Sequence, residues 1–296
     1  MRDEEFISTF KSRVLEVFKY SIGFFEKHHL HWFIACGSAI GAVRHKGFIP
    51  WDDDIDVYMP RADYEKLKSL SGEMLKDGYR FLDWDEKNYP LAFGKISDNN
   101  TTLWSKKRFP VNFGIYIDIF PLDLTDSGMM AFGKKWQPYR LLLLQYRAKL
   151  SKVSLGDVVR DIFSGKKDSL RVLMVKIPLM FVSKKSFLKK IKTAEQDFNH
   201  KDGDRYVSYT ESGMYMFPRK WFEEYILMPF EDIKEVRVPK YYDEYLTYMY
   251  GDYMTPPPES QQIPEGPHGK YYVNFEQNVP LAKVRRMVRN TKGTEL

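Results

Sequence analysis

Residues 50–57 read Pro50-Trp51-Asp52-Asp53-Asp54-Ile55-Asp56-Val57, and the alternation in this stretch decides how the chain around it is read. Side chains on a strand point to opposite faces in turn. With residues 54–59 extended, Ile55 and Val57 face a core while Asp54 and Asp56 stand together on the other side. Two carboxylates held that close repel each other unless a cation sits between them. An all-oxygen ligand set of this kind suits Mg²⁺ or Mn²⁺. A third acid, Asp118, stands alone among apolar residues in Gly114-Ile115-Tyr116-Ile117-Asp118-Ile119-Phe120. A lone buried carboxylate is costly unless it is paired or binds a metal. A strand over 115–120 beside 54–59 would bring Asp54, Asp56 and Asp118 together, and three such acids can hold the ions that clamp a phosphoryl displacement. An Asp run by itself is more often a solvated turn or a set of helix caps. The apolar alternation and the isolated Asp118 weigh against that reading here.

Working upstream, residues 31–35 read as a short buried strand broken by Gly37-Ser38. Ser38 is expected to N-cap a short helix running toward Arg44. Backbone N–H groups at such a point can bind phosphate, with an ordinary tight turn as the plain alternative. Arg44, His45 and Lys46 follow. Arg44 can pair with a phosphate bidentately, and His45 is grouped with it as a phosphate-binding candidate. Downstream, Lys95 in Leu91-Ala92-Phe93-Gly94-Lys95-Ile96 is expected to face the cleft and neutralise phosphate charge; a surface lysine at a strand edge is the alternative.

Further out, Phe6, Phe10, Val14, Phe18, Ile22 and Phe25 recur every three or four positions, one stripe of a helix over 4–26. A second helix is expected over 62–75, with strands at 79–82, 91–97 and 115–120. This alternation predicts an α/β (α+β) core over 1–125, a mixed sheet flanked by helices. Residues 126–200 are rich in Lys, Leu and Met at helical spacing and read as a helical insert. Residues 201–296 read as a mixed C-terminal region completing the donor and acceptor site. Strands are expected there at 205–210, 225–230 and 234–238. A helix over 241–250 is stopped by Gly251 and Pro256-Pro257-Pro258, and a Pro/Gly-rich loop covers 259–270.

The chain has 296 residues, 43% of them apolar, enough for a sizeable core. Its single cysteine, Cys36, excludes a disulfide framework or a Cys-based zinc site within the chain and fits a reducing compartment. The opening MRDEEF lacks the basic and apolar regions of a secretory signal. No apolar run reaches the roughly 18 residues of a spanning helix. The expected location is the cytoplasm, peripheral at the inner face of the membrane. A net charge of +6 suits an anionic partner, although a merely solvated surface would look the same. Lys134, Lys135, Arg140, Arg147 and Lys149 flank residues 141–144, and Lys184, Lys185, Lys189, Lys190 and Lys192 follow the apolar stretch 170–182. Basic amphipathic helices can lie on an anionic membrane; helices packed on the core are the alternative.

The segment 37–57, GSAIGAVRHKGFIPWDDDIDV, resembles the signature of the LicD family, bacterial phosphocholine transferases related to the fukutin-type phosphoribitol transferases. Residues 114–123, GIYIDIFPLD, resemble that family's second block, and residues 245–258, YLTYMYGDYMTPPP, its C-terminal block. The resemblance implies a nucleotidyltransferase-like fold and Mg²⁺ or Mn²⁺ as cofactor. It also implies a CDP-linked donor such as CDP-choline, and as acceptor a cell-surface glycan or its lipid-linked precursor. Gly37-Ser38 matches the glycine–serine turn, Asp54 and Asp56 the paired metal-binding acids, and Asp118 the third acid. Asp52 and Asp53 belong to the acidic run without a clear metal role. Where the family carries a basic or histidine-rich stretch after the prolines, this chain has only His268 and Lys270. Rival readings are a nucleotidylyltransferase using the same acids, a binding module without turnover, and a nucleic-acid binder. No recognised nucleic-acid motif is present, so no nucleic-acid partner is expected. The absence of GxSxG, HExxH and P-loop patterns disfavours hydrolases.

Overall fold

The computed structural model describes residues 3–105, 109–151, 159, 163, 168–179, 181–199, 202–210, 212–263 and 270–291. The chain opens with helix α1 (Asp3–Lys27), whose stripe Phe10, Val14, Phe18 and Phe25 is buried. Strand β1 (Phe33–Ile34) leads into the short helix α2 (Cys36–Ile40), which passes directly into a π-helical turn at Gly41–His45. Then come β2 (Asp56–Pro60), α3 (Arg61–Ser69), α4 (Ser71–Lys76), β3 (Tyr79–Leu82), β4 (Gly94–Asp98), β5 (Thr102–Ser105) and β6 (Ile115–Thr125). Helices α5 (Met129–Leu150), α6 (Asp168–Lys176) and α7 (Lys184–Phe198) follow. The remainder comprises β7 (Arg205–Tyr209), β8 (Met214–Pro218), β9 (Tyr225–Phe230), β10 (Ile233–Pro239), α8 (Tyr242–Tyr250), β11 (Lys270–Asn274) and α9 (Leu281–Thr291).

The main sheet runs β1-β2-β6-β4-β3, with β7 on the far end of β6 and β8 on β7. Strands β2 and β6 are parallel and the other pairs antiparallel. The fold is therefore α/β with a mixed sheet flanked by helices. Helix α1 packs on β6 and β4, and α3 packs on β2 and β6. Ile55, Val57, Ile117 and Ile119 are fully buried. Burying each such side chain contributes about 1.5–3 kcal/mol before the entropy of ordering is counted.

Several local expectations change. The strand expected from residue 54 begins at Asp56, with Asp54 in the extended lead-in. The strand expected from 91 begins at Gly94; residues 91–93 bend instead, with Tyr89 and Ala92 buried in the core and the Tyr89 hydroxyl donating to the Phe93 carbonyl (2.8 Å). The helix expected over 62–75 is two helices, broken at Leu70 (φ −91°, ψ 4°). The third strand runs past Phe120 to Thr125, because β7 offers Asp123, Leu124 and Thr125 a further pairing edge. Of the loop expected over 259–270, residues 264–269 and with them His268 lie outside the described residues. Among the described residues, 259–261 form a 3-10 turn and Lys270 begins β11.

Candidate active site

Sheet register assembles the site. Asp56 on β2 lies opposite Asp118 on β6, and Asp118 lies opposite Lys95 on β4, so three adjacent strands place these side chains in one row. Asp54 joins from the lead-in, which the Asp118 N–H holds by donating to the Ile55 carbonyl (2.8 Å). Asp54, Asp56 and Asp118 each offer a carboxylate oxygen, all within 4.8 Å of one another. The three acids that sequence alternation singled out therefore converge. Taking a carboxylate out of water makes its charged form expensive, and this applies to Asp56 and Asp118. Burial, with Asp54 and Asp118 alongside, pushes the Asp56 carboxyl well above the usual carboxylate range. Burial raises Asp118 to about 6 against the opposing pull of Lys95. Three convergent carboxylate oxygens make a hard donor set whose chemistry fits Mg²⁺ or Mn²⁺.

Lys95 is 3% exposed and forms an ion pair with the Asp118 carboxylate. Its ammonium lies 3.4 Å from the centroid of the Tyr116 ring, a cation–π contact that shares the burden of a buried charge. The cation expected to meet a phosphate is thus placed against the third acid.

Ser38 corrects an expectation. The helix begins at Cys36, its N-cap is Ala35 with no side-chain capping bond, and Ser38 lies inside it. The Ser38 hydroxyl instead accepts the Asp56 N–H (2.9 Å) and reaches toward the Asp54 carbonyl (3.5 Å). The residue fastens the turn to the acidic strand, because the unpaired Asp56 N–H is the nearer demand. Gly37 packs against the acidic run: a Cβ there would lie 2.8 Å from Asp52 Oδ2. Burial and the neighbouring Asp54 push the Asp52 carboxyl up to about 8.

Arg44 and His45 lie in the π-helical turn. Arg44 Nε donates to His45 Nε2 (3.0 Å), and a second guanidinium nitrogen donates to the Tyr253 carbonyl. The His45 ring meets Trp51 edge-on at 6.4 Å. The turn therefore ties the acidic loop to the segment after α8.

Spacing could not reveal Tyr245 on α8. It is fully buried, and its hydroxyl accepts the Cys36 N–H (2.8 Å), bracing the residue before Gly37, which sits at φ +49°. Cys36 lies 209 positions away, and the sequence signals were the aromatic density of residues 245–253 and the resemblance of residues 245–258 to the family's C-terminal block. On the face that carries the acids, the next row is aromatic: Tyr58 meets Phe120 at 6.1 Å and Phe217 at 5.8 Å.

Residues 29–148 match a family model described as LicD/FKTN/FKRP, nucleotidyltransferase domain. The chain is 28% identical to the lipopolysaccharide cholinephosphotransferase LicD of Haemophilus influenzae, over 84% of this chain and 92% of that protein. It is also 36% identical to an uncharacterised protein of Rickettsia prowazekii and 35% identical to one of Rickettsia typhi, in matches spanning 48% and 41% of those proteins. Through residues 29–148, this chain is similar to the nucleotidyltransferase domain of the LicD/FKTN/FKRP family.

Proposed function

We propose that the protein transfers phosphocholine from a CDP-linked donor to a hydroxyl of a cell-surface glycan, lipopolysaccharide or its lipid-linked precursor. The observation that carries this reading is the convergence of Asp54, Asp56 and Asp118 within 4.8 Å, on a chain that resembles a cholinephosphotransferase along most of its length. In the reaction, the acceptor oxygen forms a bond to the phosphorus of the phosphocholine group. The bond from that phosphorus to the bridging oxygen breaks, and CMP leaves with the electron pair. Asp54, Asp56 and Asp118 would hold Mg²⁺ or Mn²⁺. Bound there, the ion would neutralise the diphosphate and the charge growing on the leaving oxygen.

The chain's own residues position these parts. Lys95 fixes Asp118, and Ser38 fixes the backbone of Asp56. Asp118 is the group assigned to take the acceptor's proton. Backbone N–H groups at Gly37-Ser38 would take the donor phosphates, with Arg44 and His45 in the turn that follows.

The experiment is product analysis with CDP-choline, Mg²⁺ and a panel of glycan acceptors, read by mass spectrometry. Release of CMP with a phosphocholine adduct is expected. A cytidylyl adduct with release of phosphocholine, or release of diphosphate when CTP is supplied as the donor, would establish the nucleotidylyltransferase alternative instead. Asp54→Asn and Asp56→Asn should each lower turnover at least about a thousandfold, the loss of an ion-centred electrostatic contribution. Unchanged turnover in either would remove the metal role.

A further inference from the structure

Large apolar side chains left in solvent are concentrated in one part of the molecule. Of the nineteen among the described residues, ten fall within 126–200, a quarter of the chain. The same quarter holds sixteen Lys and Arg against six Asp and Glu, a net charge of +10, while the rest of the chain carries −4. Helix α5 buries Phe132, Trp136, Tyr139, Leu143 and Tyr146 and turns the opposite stripe outward, with Met130 84% and Leu141 57% exposed. After α6 the chain presents Ile177 at 55% and Phe181 at 96% exposure, followed by exposed Lys185, Lys189 and Lys190 on α7.

This apolar turn is held in place. The Lys149 ammonium donates to the Leu179 carbonyl (2.7 Å), and the Lys176 ammonium to the Ser151 carbonyl (2.8 Å). Ser183 caps α7 by accepting the Ser186 N–H (3.1 Å). Lys184, which donates to Asn88 Oδ1 (2.5 Å), and Lys185 occupy the first turn of that helix, where the macrodipole disfavours cations.

From these observations we propose that α5, α6 and the turn into α7 form a docking surface for an anionic lipid bilayer, with Ile177 and Phe181 entering the acyl boundary. Apolar side chains among lysines bind such a surface by burial and by charge together. A second copy of the chain is a poor occupant, since it would bring the same strongly basic segment, 126–200, up against itself. The value of the surface to the cell rests on the proposed lipid-linked acceptor, but its existence does not.

The test is flotation of the full chain with vesicles of phosphatidylcholine alone or with phosphatidylglycerol at about three parts in ten. Binding to the anionic vesicles only, released by salt, is expected. The double variant Ile177→Ser, Phe181→Ser should weaken vesicle binding at least about fivefold. Its circular dichroism, and its CMP release with a soluble acceptor, should match the parent. Binding to neither vesicle, or wild-type binding by the double variant, overturns the proposal. So does a dimer that this variant converts to monomer, or capture by DNA without vesicle binding. Vesicle binding is read without turnover, so failure of the transfer reading leaves this result interpretable on its own.

Discussion

At position 95 a full positive charge lies inside the sheet with Asp118 as its counter-ion. Burial alone lowers the Lys95 pKa, and Asp118 pulls it back up. Removing one member of a buried pair strands the other, at about 3–5 kcal/mol. Lys95→Met should therefore lower the stability of the metal-free protein by roughly that amount. Mn²⁺ should restore part of it by giving the Asp118 charge a new partner. Thermal unfolding with and without Mn²⁺ decides, and a melting temperature unmoved by the substitution would show that the pair carries no weight. The same acids set a pH dependence. Asp118 at about 6 and Asp52 at about 8 hold protons that an incoming cation must displace. Affinity for Mn²⁺ should rise as pH climbs through 6 toward 8, with proton release visible by calorimetry in buffers of different ionisation enthalpy. A flat profile would contradict those raised carboxyls. At this scale the acids were legible because strand alternation is strict. The partner of Ser38 was not, because a hydroxyl next to a helix start can cap it or serve a strand, and only the position of Asp56 decides.

Elements were legible where one periodicity dominated. Helix α1 shows its apolar stripe plainly, and its bounds match within a residue. The turn between Ile40 and Lys46 is harder, because its geometry answers to a distant hairpin. Glu231, in the turn from β9 to β10, donates its N–H to the Lys46 carbonyl (2.8 Å) and accepts the Phe48 N–H (2.8 Å). That seat requires close backbone approach: a Cβ on Gly41 would lie 2.4 Å from the Gly47 carbonyl oxygen. Gly41→Ala should destabilise the protein by about 1–3 kcal/mol, since backbone rather than a flexible side-chain end must move. Gly72 on α4 has nothing within 4 Å of its Cβ position, so Gly72→Ala should be neutral or stabilising by up to about 1 kcal/mol. Chemical denaturation of the two variants side by side gives the answer. An equal effect from both would mean that crowding at the π-helical turn is not what Gly41 relieves.

Across the whole molecule, the pairings invisible to local reading are those that join the chain's ends. Strand β11 pairs with β5, and the Val279 N–H donates to Thr102 Oγ1 (2.7 Å). Strand β7 extends the edge of β6, and Phe217, Phe222 and Tyr245 surround Tyr58 at 5.6–6.1 Å. One buried cluster runs from Phe10 to Tyr253. The stretch 1–125 holds every acid of the site, yet part of the apolar cover over those acids is supplied by residues beyond 200. The isolated fragment 1–125 should therefore fail to fold, leaving Tyr58 and the end of β6 in water. The full chain should lose the β2–β6 sheet and the aromatic row in one transition, because neither is buried without the other. Near-ultraviolet circular dichroism of the fragment measures this directly. A native-like aromatic signal with a cooperative melt, in the fragment alone, would show that the acidic core stands without its C-terminal cover.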